Sequence, residues 1–181
     1  MQLAFITSDE RGGADRLLAG FARDLADRGV SLAGVVQSNT ERPGAGPCDM
    51  DLTLLPDGPV IRISQSLGDG ARGCRLDTAA LEDAVAHVGA RLSAAPDLLI
   101  LNKFGKREAN GHGFRALIGQ AVSAGVPVLL AVPPSNRAAF DLFTGGLAEP
   151  VPAQAAALRA WFARAASPTA DGSGPVSRPE A

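Results

Sequence analysis

Short apolar runs alternate with longer amphipathic segments along most of the chain. Residues 3–7 form an apolar run that stops at polar Ser8, and residues 14–28 then repeat apolar side chains at helical spacing up to Gly29. Residues 30–37 form the next apolar run. A strand, a helix and a strand within about thirty residues predict a βαβ unit with a right-handed crossover.

The middle of the chain departs from this rhythm. Two short alternating runs, DLTLL and PVIRIS, are separated by Pro-Asp-Gly, which predicts a β-hairpin. The surrounding residues 38–77 are rich in turn formers, so we interpret them as a segment inserted into an α/β domain. Asp77 or Thr78 then begins a helix whose inward side chains are Leu81, Ala84, Val85, Val88 and Leu92.

The strand and helix rhythm returns in the second half. We predict strands at 97–102 and 126–132, and helices at 110–124, 135–143 and 152–165. The alternation predicts an α/β fold: a three-layer, mainly parallel sheet with helices on both faces and a small inserted β-hairpin.

Apolar content decides where the folded part ends. Residues 1–166 carry enough apolar side chains for one α/β domain, whereas residues 167–181 carry almost none. We therefore predict a single domain over 1–166 and a disordered tail over 167–181.

Composition excludes several function classes. The 181 residues have a net charge of −2, so the chain lacks the excess of cations that nucleic acid or anionic lipid requires. The N-terminal residues do not resemble a signal peptide, and no run approaches the ~20 apolar residues of a membrane span. We expect a cytoplasmic protein with no nucleic-acid or membrane partner, and a homodimer is left open. Neither Cys48 and Cys74 nor the two histidines have metal-ligand spacing, so no metal site is predicted.

Two loops are candidate binding sites, because ligands of open parallel sheets bind outside the carboxyl ends of the strands. The loop at 103–112 follows a strand and is locally basic. Between Asn102 and Arg115 the charged side chains are Lys103, Lys106, Arg107, Glu108 and Arg115 itself, a local charge of +3. Gly105 allows close backbone approach, and a helix starting at Asn110 or Gly111 would add free N–H groups. Lysines in such a place suit an oxyanion such as phosphate, sulfate or molybdate.

The loop at 8–15 lies where a nucleotide-binding domain has its phosphate loop. When residues 8–15 are aligned with the phosphate-loop pattern G-x-x-x-x-G-K-[ST], Gly13 matches the second glycine. Ser8 replaces the first glycine, Ala14 replaces the lysine, and Asp15 replaces the hydroxyl residue. The loop also has three carboxylates that oppose phosphate, namely Asp9, Glu10 and Asp15. The alternative interpretation is that Gly12 and Gly13 form only a flexible turn into the first helix.

Three further residues are weaker candidates. Gln37 ends the second strand and could line the same crevice. Arg75 lies between a thiol and an acid in GCRLD, which is either a functional cluster or an ordinary loop with a helix cap. His112 could donate to an anion or act as a general base, although no acid partner is evident.

An uncharacterised bacterial family of the DUF2478 type is resembled by four stretches, GADRLLAGFARDLADRGVSLAGVVQ, GCRLDTAALEDA, DLLILNKFGKREANGHGFRALIGQAVSAGVPVLLAV and FTGG. The resemblance covers most of residues 3–148, and N-K-F-G-K-x-E-x-x-G-x-G is its most specific part. Members of this family are sometimes encoded beside molybdate-uptake genes and carry names borrowed from transporter ATP-binding proteins. The resemblance therefore implies a molybdenum-related role, without an established activity.

More distantly, the layout is similar to small P-loop nucleoside-triphosphatases. In those proteins a lysine follows the first strand and an acidic D-E-x-G motif ends the third. Here Ala14 replaces that lysine, and Asn102-Lys103-Phe104-Gly105 replaces the acidic motif. The resemblance therefore implies a P-loop-like scaffold with degenerate Walker motifs that has lost the groups needed for hydrolysis.

The leading hypothesis is an α/β protein that binds an oxyanion, a phosphorylated small molecule or a nucleotide at the carboxyl edge of its sheet. The cofactor is unknown, with a nucleotide or molybdate or tungstate as candidates. One alternative is an unorthodox nucleotide hydrolase or kinase, and another is a regulatory or chaperone-like interaction module. The candidate ligand-binding residues are Ser8, Gly12, Gly13, Gln37, Arg75, Asn102, Lys103, Gly105, Lys106 and Arg107.

Overall fold

A computed structural model describes residues 2–40, 48–65 and 75–167. Seven strands form one sheet in the order β4-β3-β2-β5-β6-β1-β7. The strands are β1 (Leu3–Ile6), β2 (Leu32–Thr40), β3 (Asp49–Leu54), β4 (Val60–Arg62), β5 (Leu98–Leu101), β6 (Val128–Ala131) and β7 (Glu149–Pro150). The helices are α1 (Gly13–Asp27), α2 (Thr78–Leu92), α3 (Lys106–Ala109), α4 (Arg115–Ser123), α5 (Arg137–Thr144) and α6 (Ala155–Ala165).

The sheet is covered on both faces, as the sequence predicts. Every residue of β1, β5 and β6 is buried, because successive side chains point to opposite faces and both faces carry helices. The apolar stripes of α1 and α6 pack on one face, and those of α2, α4 and α5 pack on the other. The expected three-layer α/β architecture is confirmed.

Strand directions divide the sheet into a parallel centre and an antiparallel flank. Strands β2, β5, β6, β1 and β7 are parallel, whereas β3 is antiparallel to both β2 and β4. The predicted hairpin is therefore present, and it widens the sheet beyond β2. Since β6 lies between β1 and β5, the two candidate loops follow strands that are two spacings apart, roughly 10 Å.

Several predicted boundaries are wrong. Strand β2 runs past residue 37, because Ser38, Asn39 and Thr40 pair with the start of β3. The helix predicted at 110–124 begins only at Arg115, as α4, so neither Asn110 nor Gly111 begins a helix. The short helix α3 before it was not predicted. Left-handed backbone at Gly111 (φ 88°) and Gly113 (φ 59°) separates the two helices. Strand β7 was not predicted, because two residues carry no periodic signal.

Other local predictions are confirmed. The Asp77 carboxylate caps α2 by accepting hydrogen bonds from the N–H groups of Ala79 and Ala80, both at 3.0 Å. Gly29 (φ 77°) follows α1 at its predicted end. Parts of the 38–77 segment and residues 168–181 of the tail lie outside the described residues, so the domain limits stay predictions. In the part of the chain that is described, no helix combines the length and apolar character needed to cross a bilayer.

Candidate functional site

Four polar side chains form a closed ring where α1 meets the carboxyl ends of β2 and β5. Asn102 Nδ2 donates to Asp15 Oδ1 (3.1 Å) and to Gln37 Oε1 (3.3 Å). Gln37 Nε2 donates to Asn39 Oδ1 (2.7 Å), and Asn39 Nδ2 donates to Asp15 Oδ2 (2.9 Å). The polar ring therefore ties the first turn of α1 to both strands and brings the two candidate loops into contact.

The orientation of the polar ring is fixed by the backbone. The Gln37 N–H donates to Asn102 Oδ1 at 3.0 Å, so the Asn102 amide must direct its N–H₂ group toward Asp15. Asn102 and Gln37 are 4% and 5% exposed, so an amide flip would leave buried donors and acceptors mismatched. Both oxygens of Asp15 accordingly receive a neutral amide donor.

The second loop is anchored by an aromatic side chain. Phe104 is fully buried, and its ring lies 5.2 Å from Phe140 and 5.7 Å from Phe143, centroid to centroid. Its N–H donates to Ala131 O (2.8 Å), and its carbonyl accepts from Asn136 Nδ2 (3.1 Å). These contacts fix the backbone between Lys103 and Gly105 to the end of β6.

A buried carboxylate holds the rest of this loop. Glu108 is 5% exposed, and its two oxygens accept the N–H groups of Gly105 (2.9 Å) and Phe114 (3.2 Å). A Cβ at Gly113 would lie 2.3 Å from Glu108 Oε1, which explains the glycine there. The Gly105 N–H, expected to approach a ligand, is thus bonded within the loop.

The local positive charge is smaller than the sequence suggests. Arg107 pairs with Glu82 (2.9 Å), and Arg115 donates to Glu108 O (3.1 Å) while its guanidinium lies 4.3 Å from the Phe143 ring centroid. Lys103 and Lys106 are exposed, and no ion pair or hydrogen bond of either side chain is found among the described residues. They are also the only lysines in the 181-residue chain.

Arg107 retains one unused donor. Its Nε is buried and has no hydrogen-bond partner within the described ranges. The side chain is 32% exposed, so this donor lies near the surface, beside the loop that carries the lysines.

The first loop forms a tight turn of its own. Ser8 Oγ accepts the Glu10 N–H (3.3 Å), and Glu10 O accepts the Gly13 N–H (3.0 Å). Gly12 has left-handed backbone (φ 71°), and a Cβ at Gly13 would lie 2.7 Å from Ser8 Oγ. Arg16 forms an ion pair with the Glu10 carboxylate, which neutralises one of the three acids. Ser8, Gly12 and Gly13 are therefore engaged in the turn itself.

Two amides at the start of α1 stay open. The Gly13 N–H donates to Glu10 O, and the Gly12 carbonyl accepts the Arg16 N–H (3.0 Å). For the N–H groups of Ala14 and Asp15, no acceptor is found among the described residues. A helix start of this kind favours an anion.

The other predicted residues have different environments. Arg75 donates to Cys48 O (3.0 Å) and Gln65 O (3.2 Å) and pairs with Asp49, so it packs within the hairpin flank, and its place in a ligand site stays a prediction. His112 is exposed, with its backbone N–H bonded to Arg107 O. Cys74 lies outside the described residues.

The same flank carries a compact ion network. Arg62 pairs with Asp49 and Asp51, both at 2.9 Å, on the exposed side of β3 and β4. The hydrogen bond to the Asp51 side chain raises the pKa of Arg62 above its ordinary value, so this guanidinium remains charged.

Two cavities lie away from the lysines. One, of about 630 Å³, opens at the amino edge of the sheet, and its lining includes Gln2, Asp97 and Phe162. The other, of about 330 Å³, lies between α1 and the hairpin and is lined by Gln37 and Ser38 together with alanines of α1. The second cavity therefore borders the polar ring, whereas the first is at the opposite edge.

The polar ring is not evident from the sequence. In the sequence, Asn39 matches no motif, and Asp15 stands out only as a charge that opposes phosphate and as the replacement for a hydroxyl residue. One signal was available: Asn39 is two residues after Gln37, so in an extended strand both side chains lie on one face. That β2 pairs directly with β5 could not be known from spacing.

Comparisons with known proteins agree with this architecture. The solution structure of a human cancer-related nucleoside triphosphatase superposes with a TM-score of 0.60 and 19% sequence identity, covering 83% of this chain and 87% of that one. This similarity confirms the expected P-loop-like fold. In sequence, the chain is 39% identical over 148 residues to the molybdenum import ATP-binding protein ModC 2 of Bradyrhizobium diazoefficiens. The match covers 82% of this chain and only 16% of that protein.

The family is given by a match over most of the chain. The model of the family described as "Protein of unknown function (DUF2478)" matches residues 3–161. This range includes both candidate loops, the polar ring and helices α1 to α5, together with most of α6. The chain belongs to the DUF2478 family, as the resemblance of its motifs implied.

Proposed function

We propose that this protein binds a small phosphorylated molecule or an inorganic oxyanion at the carboxyl edge of its sheet. Lys103 and Lys106 supply the charge, and the open amides of Ala14 and Asp15 supply hydrogen bonds. Asn102, Gln37 and Asn39 hold the start of α1 against the loop that carries the lysines.

One observation carries this proposal. Within N-K-F-G-K-x-E-x-x-G-x-G, the side chains other than the two lysines stabilise the loop itself. Asn102 belongs to the polar ring, Phe104 is buried in the core, and Glu108 accepts the Gly105 N–H. The two lysines have no such role, although they are the only lysines in the chain. A rigid loop that displays two unpaired ammonium groups at a strand end is suited to hold an anion.

The names of two similar proteins support narrower classes of ligand. The names of the ModC 2 protein and of the human nucleoside triphosphatase refer to ATP binding and to triphosphates, which supports a ligand of the nucleotide class. The ModC 2 name also refers to molybdenum import, which supports molybdate or tungstate and a molybdenum-related role. Phosphate esters and these oxyanions share the chemistry that two lysines recognise.

We propose binding without hydrolysis. Hydrolysis in P-loop proteins uses a lysine on the β- and γ-phosphates and an acid that orients the metal and water. Ala14 and Asn102 occupy those positions here.

A thermal-shift panel tests the proposal. Phosphate, sulfate, molybdate, tungstate, AMP and ATP are each added to the wild type and to Lys103→Ala and Lys106→Ala. At 100 times its dissociation constant, a true ligand adds about 2.7 kcal/mol to the free energy of unfolding. For a chain of this size, that corresponds to a rise in Tm of roughly 5–10 °C. We expect each lysine variant to lose most of this rise.

The matched control is Arg91→Ala. Arg91 is exposed in the last turn of α2, at the amino edge of the sheet. Its replacement by alanine removes one positive charge, just as the lysine variants do. We expect Arg91→Ala to keep the full ligand-induced rise. An equal loss in all three variants would show that net charge, and not the lysine loop, decides binding. No rise with any of the six compounds would refute the proposed function.

A further inference from the structure

The P-loop fold implies a magnesium ion, and the residues present do not fit one. In that fold, Mg²⁺ is held by a hydroxyl at the start of the first helix and an acid near the end of a neighbouring strand. Asp15 and Asn102 occupy these two places. Asn102 directs its N–H₂ group toward Asp15, and an amide N–H₂ donates hydrogen bonds and cannot bind a cation.

The remaining oxygens of the polar ring are also engaged. Both Asp15 oxygens accept amide N–H groups, and Asn102 Oδ1 accepts the Gln37 N–H. Asn39 Oδ1 accepts from Gln37 Nε2. Mg²⁺ demands near-octahedral oxygen ligands, and the polar ring offers it only the second lone pairs of oxygens that already accept an N–H group. Across residues 2–40, 48–65 and 75–167, no group of three or more His, Cys, Asp or Glu side chains is arranged to hold a metal ion.

We infer that the polar ring performs the structural task of the magnesium ion, and that the ligand is a small dianion bound without a divalent cation. This inference rests on the proposed function and narrows its ligand class. The ring joins the first turn of α1 to the end of β5, which is the connection that a metal ion makes between the same two places in P-loop enzymes.

The charges of the two loops agree with a small dianion. Glu10 is paired with Arg16, and Arg107 is paired with Glu82. Among the described residues of the two loops, the charged side chains left without an ion pair are Asp9, Arg11, Asp15, Lys103, Lys106 and Glu108, whose buried carboxylate accepts two backbone N–H groups. Three cations against three carboxylates give no excess positive charge, so the two loops suit an anion of low charge. A triphosphate without its metal would bring a much larger excess of negative charge beside Asp9 and Asp15.

The test compares ligand binding with and without magnesium. Tm is measured for the wild type with phosphate, molybdate, AMP or ATP, each in EDTA and in millimolar MgCl₂. We expect one of the dianions to raise Tm equally in both conditions and by more than ATP does. A rise that requires MgCl₂, or one that is largest for ATP with MgCl₂, would overturn the inference but leave the proposed function intact. No rise under either condition would refute both.

A second comparison needs no anion. MgCl₂ alone is titrated into the wild type and into Asp15→Asn, which lacks the carboxylate. We expect the two proteins to respond alike, and a larger Tm rise in the wild type would overturn the inference. Asn102→Asp is the positive control, because its new carboxylate lies beside Asp15. It should melt at a lower temperature than the wild type in EDTA and regain part of that difference in MgCl₂.

Discussion

Phe104→Ala is expected to lower the free energy of unfolding by about 3–5 kcal/mol, the usual cost of truncating a fully buried phenylalanine. Phe104 is 0% exposed and packs against Phe140 and Phe143. Its removal leaves a cavity between α5 and the end of β6. In a protein of this size, such a loss corresponds to a decrease in Tm of roughly 10 °C, measurable by calorimetry or chemical denaturation.

The same substitution should affect ligand binding. Phe104 stands between Lys103 and Gly105, so its anchoring sets where the first lysine is displayed. Leu142→Ala is the control, because Leu142 is 86% exposed and surface truncations usually change stability by less than about 0.5 kcal/mol. A cost below about 1 kcal/mol for Phe104→Ala would show that the loop is not anchored in the core.

Glu108→Ala is expected to cost about 2–5 kcal/mol. The Glu108 carboxylate is buried and accepts the N–H groups of Gly105 and Phe114. Removing it leaves both amides without their acceptor, and a buried unsatisfied donor costs about 1–3 kcal/mol. The free energy of unfolding by urea measures the effect, and hydrogen exchange at the two amides should become faster.

Two variants separate this effect from loss of charge. Glu82→Ala removes an acid whose side chain is 49% exposed in its pair with Arg107, so we expect less than about 1 kcal/mol. Glu108→Gln keeps one acceptor oxygen but turns an N–H₂ group toward the other amide, so its cost should lie between the two alanine variants. Equal costs for Glu82→Ala and Glu108→Ala would contradict the assigned role of Glu108.

Much of the fold could be predicted because its elements have strong periodic patterns. The apolar stripe of α1 and the continuous apolar runs of β1, β5 and β6 are the signals that buried helices and parallel strands produce. The start of the helix predicted at 110–124 was harder. The side chains of this range fit one helix, but Glu108 accepts the N–H groups of Gly105 and Phe114 and stabilises a turn before α4. Such bonds depend on three-dimensional contacts that a hydrophobic pattern does not contain.

A candidate site could be proposed from the sequence, but its contacts could not. The rule that ligands bind at carboxyl edges predicts a site at two loops, and the structure joins these loops through Asp15 and Asn102. That a ligand binds there stays a prediction. The pairing of Arg107 with Glu82 depends on the packing of α2 beside α3, so the sequence overestimated the local charge. Likewise, the polar ring needs β2 next to β5, and strand order is not a local property of the sequence.

The chain itself allows a direct observation of the two lysines. Reductive methylation with ¹³C-formaldehyde labels amines and keeps their positive charge, and only Lys103 and Lys106 carry side-chain amines in this sequence. The labelled protein should give two lysine methyl signals, apart from that of the N-terminal amine. Each lysine→Ala variant assigns one of them.

The decisive measurement is an NMR titration of this labelled protein with the compound that gives the largest rise in Tm. If the lysine loop binds the anion, both lysine signals should move and saturate with one dissociation constant, while the N-terminal signal stays in place. Saturable binding by calorimetry with neither lysine signal moving would contradict the proposed site.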